Sequence, residues 1–153
     1  MYANGPAYAL VITVTLVTVA AAVWVHYEGL VRVAERLGRG RGAHRNRVLY
    51  GIFAVIGLHL IEIWLIEIWL FGVAYRVLAA VPGTGTLVGA DSLGLLDAVY
   101  LSAATFTTLG YGDVVPVGPI RLLTGVEALV GFVLLTWSAS FTYLEMERNW
   151  RPK

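Results

Sequence analysis

Cysteine is absent from the 153-residue chain, which excludes disulfides and thiolate metal sites and leaves the redox compartment open. Charge is scarce. Asp, Glu, Lys and Arg make up 14% of the residues, against roughly 25% in soluble domains. The net charge is +1, so overall charge points to no polyanionic or polycationic partner. No nucleophile, metal-ligand set or cofactor loop emerges, so no enzyme is expected.

Apolar residues dominate instead. They form 58% of the chain, and the mean hydropathy is +0.74. A single domain this apolar buries its surface in lipid rather than in a core of its own. A helix that crosses the hydrocarbon needs about 20 mostly apolar residues. Residues 7–27, 48–75 and 119–145 meet that need as a first transmembrane helix, an outer helix and an inner helix. No Lys or Arg precedes the first run, so a retained span is expected rather than a cleaved signal peptide. A fourth apolar stretch, 93–107, is shorter and rich in Ser, Thr and Ala, with glycine-containing segments on both sides. That pattern suits a re-entrant half-helix.

Arginine sets the orientation. Arg32, Arg36, Arg39, Arg41, Arg45 and Arg47 lie in a loop read as 28–47, and Arg148, Arg151 and Lys153 lie in a tail read as 146–153. Arg76 and Arg121 are the remaining basic residues. The positive-inside rule places loop and C-terminus in the cytoplasm and the N-terminus and 76–119 outside. The loop reads as a topogenic segment facing lipid headgroups. A voltage sensor would carry arginine at every third position inside an apolar span. A membrane-flush basic loop gives no reason to expect nucleic acid.

Residues 97–116 read DAVYLSAATFTTLGYGDVVP. The stretch 107–113, TTLGYGD, resembles the potassium-channel signature T-V-G-Y-G-D. The resemblance runs over about residues 90–147 and is closest to small bacterial three-transmembrane-helix channels of the ion-channel family. It implies an all-α membrane protein of three transmembrane helices, a pore helix (93–107) and a filter loop (108–113). It also implies a homotetramer in the lipid bilayer of a bacterial inner membrane, passing K+ passively. No organic cofactor or small-molecule ligand is expected.

The residue types fit that reading physically. An ion sheds water only if oxygens replace it, and backbone carbonyls do so when all point to one narrow axis. Gly110 and Gly112 tolerate the positive φ such a strand requires. Coordination of K+ is therefore assigned to Thr108, Leu109, Gly110 and Tyr111, with Gly112 at the outer end. Leu109 and Tyr111 are expected to wedge the strand against the pore helix. Thr107 and Asp113 flank it, and Asp91 or Ser92 is expected to cap the pore helix. The dipole of that helix favours a cation at its C-terminal end. Relatives often carry paired tryptophans and a carboxylate in the pore helix. The matching positions here are Tyr100, Leu101 and Ala104, which leaves Tyr111 and Asp113 to be held by Tyr100, Thr105 or a bound water.

On the inner helix, Gly131 reads as a hinge or as a close-packing point. Phe132, Leu135, Ala139 and Tyr143 fall along one face expected to line the cavity, with Leu135 and Tyr143 as the constriction. His59, Glu62, Glu67 and Glu127 lie inside spans. They read as polar glue bonded to each other or to pore-helix hydroxyls such as Ser102, with a proton-sensing gate as the alternative. His59 and Glu62 share a face but lack a third metal ligand. The doubled IEIWL at 61–70 reads as a local duplication with Trp64 and Trp69 toward lipid, and Trp150 as an interfacial anchor. Two other functions stay open: a weakly selective monovalent cation channel, and a non-conducting accessory protein.

Overall fold

The computed structural model describes residues 5–39, 45–89 and 94–150. Two long helices, α1 (Gly5–Arg39) and α2 (Arg45–Ala79), are followed by a short strand, β1 (Thr86–Val88). A short helix, α3 (Leu95–Phe106), a second strand, β2 (Val115–Val117), and a third long helix, α4 (Arg121–Trp150), complete the order. Three helices among the described residues, Gly5–Leu37, Ile56–Ala79 and Arg121–Arg148, are long and apolar enough to cross a membrane. The protein is thus a multi-pass, mainly helical membrane protein.

The arginine-rich segment differs from its expectation. Residues 28–39 are not loop but the continuation of α1, and α2 already begins at Arg45. The reason lies in an apolar stripe that the arginines interrupt but do not end. Leu30, Val33 and Leu37 recur at helical spacing and bury against Ile56, Leu60 and Ile63 of α2. A Glu28–Arg32 pair at 3.4 Å adds support on the exposed side. At 1.5 Å per residue the 35 residues of α1 span about 52 Å, well beyond the roughly 30 Å of hydrocarbon. Arg41 lies outside the described residues, as do Asp91 and Ser92.

Contacts of α1 with α2 run in opposite chain directions: Arg36 with His59, Gly29 against Ile63, His26 with Glu67. The two helices are therefore antiparallel. The main core joins Val11 and Ala22 of α1 to Phe71, Tyr75 and Leu78 of α2, Ala98, Leu101 and Phe106 of α3, and Leu123 and Leu134 of α4. The segments before and after α3 are tied by an antiparallel ribbon pairing Thr86 with Val117 and Val88 with Val115. Three-residue strands are too short to show a period-two pattern, so the ribbon escapes a reading based on periodicity. Thr84 closes the corner, accepting the Ile120 N–H at 2.8 Å through its carbonyl. The ends of α2 and α4 thus meet on one side of the bundle, and α3 with its following loop is inserted between them.

Val33 separates the helical from the loop reading of this segment, since it is 1% exposed. Val33→Asp is expected to cost at least about 2 kcal/mol of stability, measured by thermal unfolding in detergent, where a headgroup-facing loop would tolerate it.

Candidate functional site: the pore helix and filter loop

At 12 residues, or about 18 Å, α3 is too short to cross a bilayer. Its N-cap is Gly94, whose N–H donates to Asp97 Oδ2 at 3.0 Å. A carboxylate in the first turn satisfies one of the donors that a helix start leaves open. The helix buries Ala98, Leu101, Ser102, Ala104, Thr105 and Phe106 and ends at Thr107. The Thr107 hydroxyl donates back to the Ala103 carbonyl at 2.7 Å.

The loop that follows changes hand at every second residue. Thr108, Gly110 and Gly112 have φ of 62°, 55° and 81°, whereas Leu109 and Tyr111 stay out of the left-handed region. Alternation of this kind turns successive peptide planes so that their carbonyls share a side, where a regular strand would alternate them. Two N–H groups are anchored on the last turn of α3: Thr108 to the Thr105 carbonyl and Gly110 to the Ala104 carbonyl, both at 2.9 Å. Ala104 therefore supports the loop through its backbone rather than its side chain. Among the described residues, no hydrogen bond uses the carbonyls of Thr108, Leu109, Gly110, Tyr111 or Gly112. Thr108 is the surprise, because a β-branched residue in the left-handed region is strained. Its hydroxyl-bearing side chain gives no sequence signal for that conformation, as glycine does.

The outer end of the loop rests on Tyr100. Its hydroxyl donates to Asp113 Oδ2 at 2.7 Å, and its ring stacks on Tyr111 with centroids 6.4 Å apart. The Tyr100 hydroxyl holds the Asp113 carboxyl below the usual carboxylate range, and Asp113 in turn raises the Tyr100 phenol. A carboxyl lowered in this way keeps the contact above about pH 4 and loses it only in stronger acid. Leu109 does not wedge against its own pore helix. It is 62% exposed, and Tyr111 is 68% exposed despite its stack. Behind Thr108 and Gly110 lies a cleft of about 690 Å³, bounded by Thr105, Val115, Arg121 and Thr124. One chain leaves this loop uncovered on both sides.

Gly131 lies where α4 passes the C-terminal end of α3. A Cβ there would meet backbone atoms of Phe106, including its carbonyl oxygen. α4 runs as unbroken helix through this point, and the observed role of Gly131 is close approach. Of the four residues expected to share a lining face, Phe132, Ala139 and Tyr143 are exposed. Leu135 is not: it is half-buried against the core, because it lies one turn from Gly131 on the packed side.

The buried acids separate into two clusters. Glu127 is fully buried and accepts from Ser102 through Oε1 and from Tyr75 through Oε2, each at 2.5 Å. The same Ser102 Oγ lies 2.8 Å from the Ile68 carbonyl, and its single proton is given to one of the two acceptors at a time; the cluster ties α2, α3 and α4 together. Glu67 bonds neither His59 nor Glu62 but His26 of α1, at 2.8 Å. Only tertiary packing pairs residues 41 positions apart, and His26 stood out from no motif. His59 faces Arg36, and Glu62 is exposed. Trp64 does not face lipid. It is half-buried and donates to Ser138 Oγ at 3.2 Å, whereas Trp69 is exposed. The Trp150 side chain lies outside the described residues.

Residues 48–146 match the Ion channel family, well over half of the chain, and the chain belongs to that family. Its matched region is an ion-channel pore domain. The chain is 32% identical over 98 residues to the inward rectifier potassium channel Kirbac3.1 of Paramagnetospirillum magnetotacticum, covering 63% of this chain and 30% of that protein. Protein LctB of Geobacillus stearothermophilus is 32% identical over 85 residues, 52% of this chain and 63% of that protein. Protein LctB of Bacillus caldotenax is 49% identical over 45 residues, 29% of this chain and 34% of that protein. The match spans less than two thirds of each relative's length.

Two substitutions test the supports. Gly131→Ala is expected to destabilise the protein by about 1–3 kcal/mol in a thermal melt, since the obstructing atoms are backbone and cannot rotate away. Glu127→Ala takes the carboxylate from the buried Tyr75 hydroxyl and leaves Ser102 with the Ile68 carbonyl alone. It is expected to cost about 2–4 kcal/mol, with Glu127→Gln recovering part of it.

Proposed function

We propose that the protein is a potassium-selective channel that passes K+ passively through a filter built from Thr108, Leu109, Gly110 and Tyr111, with Gly112 at its outer end. The observation that carries this reading is the alternation of hand at Thr108, Gly110 and Gly112, with the carbonyls between them lacking a partner among the described residues. Such carbonyls replace the hydration shell of an ion when several strands face one axis. One strand covers one side of an ion, so the working unit is a homotetramer with cyclic symmetry. The exposed Leu109 and Tyr111 and the cleft behind the loop support this, because neighbouring copies would cover them. Irregular backbone at membrane depth persists only where protein or a water path shields it. The similarity to a protein named as a potassium channel agrees with the choice of ion.

The basic residues near the α1–α2 junction and in the C-terminal tail put those ends in the cytoplasm, with the filter mouth and the N-terminus outside. The membrane is the bacterial inner membrane. Phe132, Ala139 and Tyr143, exposed on α4, line the cavity on the cytoplasmic side of the filter.

Purified protein in liposomes is expected to pass K+ and to exclude Na+. Gly110→Ala is expected to abolish the K+ flux, because an L-residue in the left-handed region costs about 1–2 kcal/mol in every subunit. Equal Na+ and K+ flux would mean a weakly selective pore, and no flux in the wild type would mean an accessory protein. Tyr100→Phe keeps the ring but removes the donor to Asp113, and is expected to lower the K+ to Na+ flux ratio while the fold survives.

A further inference from the structure

The short helix α3 is held from two sides, and each hold has the same two parts. On the α2 side, Gly72 lies against Val99, where a Cβ would meet backbone as well as side-chain atoms. Four residues earlier on α2, the Ile68 carbonyl lies 2.8 Å from Ser102 Oγ. On the α4 side, Gly131 lies against the Phe106 backbone. Four residues earlier on α4, Glu127 Oε1 lies 2.5 Å from the same Ser102 Oγ. Residues four apart share a helix face, so each pair is one face of its helix laid along α3. Both polar contacts converge on one side chain, Ser102, which is 0% exposed.

The two parts act differently. Glycine lets backbones come close, but the contact has no direction and permits sliding. A hydrogen bond has a narrow range of length and angle, so it fixes where along the contact the helices stop. The single proton of Ser102 serves one acceptor at a time, and both acceptors lie within reach without any movement of α3. The registers of three helices thus meet at one hydroxyl.

The filter loop hangs from the next turn of α3. Ala104 and Thr105 follow Ser102 closely and supply the carbonyls that accept the Gly110 and Thr108 N–H groups at 2.9 Å. These anchors hold Thr108 at φ 62°, where a β-branched residue is strained. A slip of α3 by one residue would carry both carbonyls about 1.5 Å along its axis. Neither hydrogen bond survives that displacement, and Thr108 would relax with its carbonyl turned.

The structure assigns Ser102 the part of a positioning residue for the filter: it pins the register of α3 on α2 and α4, and so holds the loop 108–112 in its selective shape. The assignment rests on the reading of that loop as a potassium filter. Ser102 coordinates no ion itself, and its effect travels through Ala104 and Thr105.

The test uses the full chain with Ser102→Ala, which removes the hydroxyl and favours helix. Hydrogen exchange of the segment 106–112, followed by mass spectrometry in detergent, reads the two anchored N–H groups without any ion flux. Exchange there is expected to be at least about fivefold faster than in the wild type, the factor that accompanies loss of one hydrogen bond. In liposomes, the ratio of K+ to Na+ flux is expected to fall at least about fivefold. This ratio does not depend on how many channels are folded, so lost stability alone does not move it. Ser102→Cys, a weaker donor of similar size, is expected to fall between wild type and Ser102→Ala on both readouts, and it decides the matter should Ser102→Ala not fold. Val33→Ala opens a cavity at the contact of α1 with α2. It is expected to lower the melting temperature and to leave both the exchange at 106–112 and the flux ratio unchanged. Unchanged exchange in Ser102→Ala overturns the assignment whatever the channel conducts. So does an unchanged flux ratio where the wild type selects K+, and so does a Val33→Ala protein that matches Ser102→Ala on either readout. A wild type that passes K+ and Na+ equally, with faster exchange in Ser102→Ala, refutes potassium selectivity and supports the pin.

Discussion

A polar backbone cannot lie bare in lipid, and this constraint organises the whole molecule. The loop from Thr108 to Gly112 has carbonyls with no partner among the described residues and is exposed along its length in one chain. Everything around it serves to hold it there. The last turn of α3 accepts two of its N–H groups, Tyr100 holds Asp113, and Gly131 lets α4 come against the backbone at Phe106. Glu127 then fixes α3 between its neighbours through Ser102 and Tyr75. The two short strands close the frame on the side where α2 and α4 end.

Polar groups join the helices here because lipid offers little hydrophobic gain for helix against helix. The two acidic clusters are the clearest instances. Each binds groups from other helices, and each lies fully buried. They differ in what they join. Glu127 works within the region matched by the family, whereas Glu67 reaches out to α1. A helix outside the shared core is thereby made part of the same packed unit.

Much of this was legible in the order of residues. Hydropathy marks three spans and a short fourth stretch, because crossing lipid demands length and apolarity that little else demands. TTLGYGD marks the loop, because only glycine accepts the left-handed backbone cheaply. Other features were hidden. The arginines suggested a loop between spans, yet Leu30, Val33 and Leu37 carry the helix on through them. Leu135 matched the spacing of a lining face, yet it lies on the edge that packs against the core.

The sequence by itself determined the class of the protein and its three long apolar helices, since these rest on local chemistry and hydropathy. Tertiary structure alone decided which buried groups meet. His26, Glu67 and Ser138 come from three helices, as do Tyr75, Ser102 and Glu127. Hydrogen bonding acts across space at about 3 Å, and no spacing along the chain records which helix faces another. The left-handed turn at Thr108 belongs with them, because its conformation is imposed by the anchors at Thr105 and Ala104 rather than by its own preference.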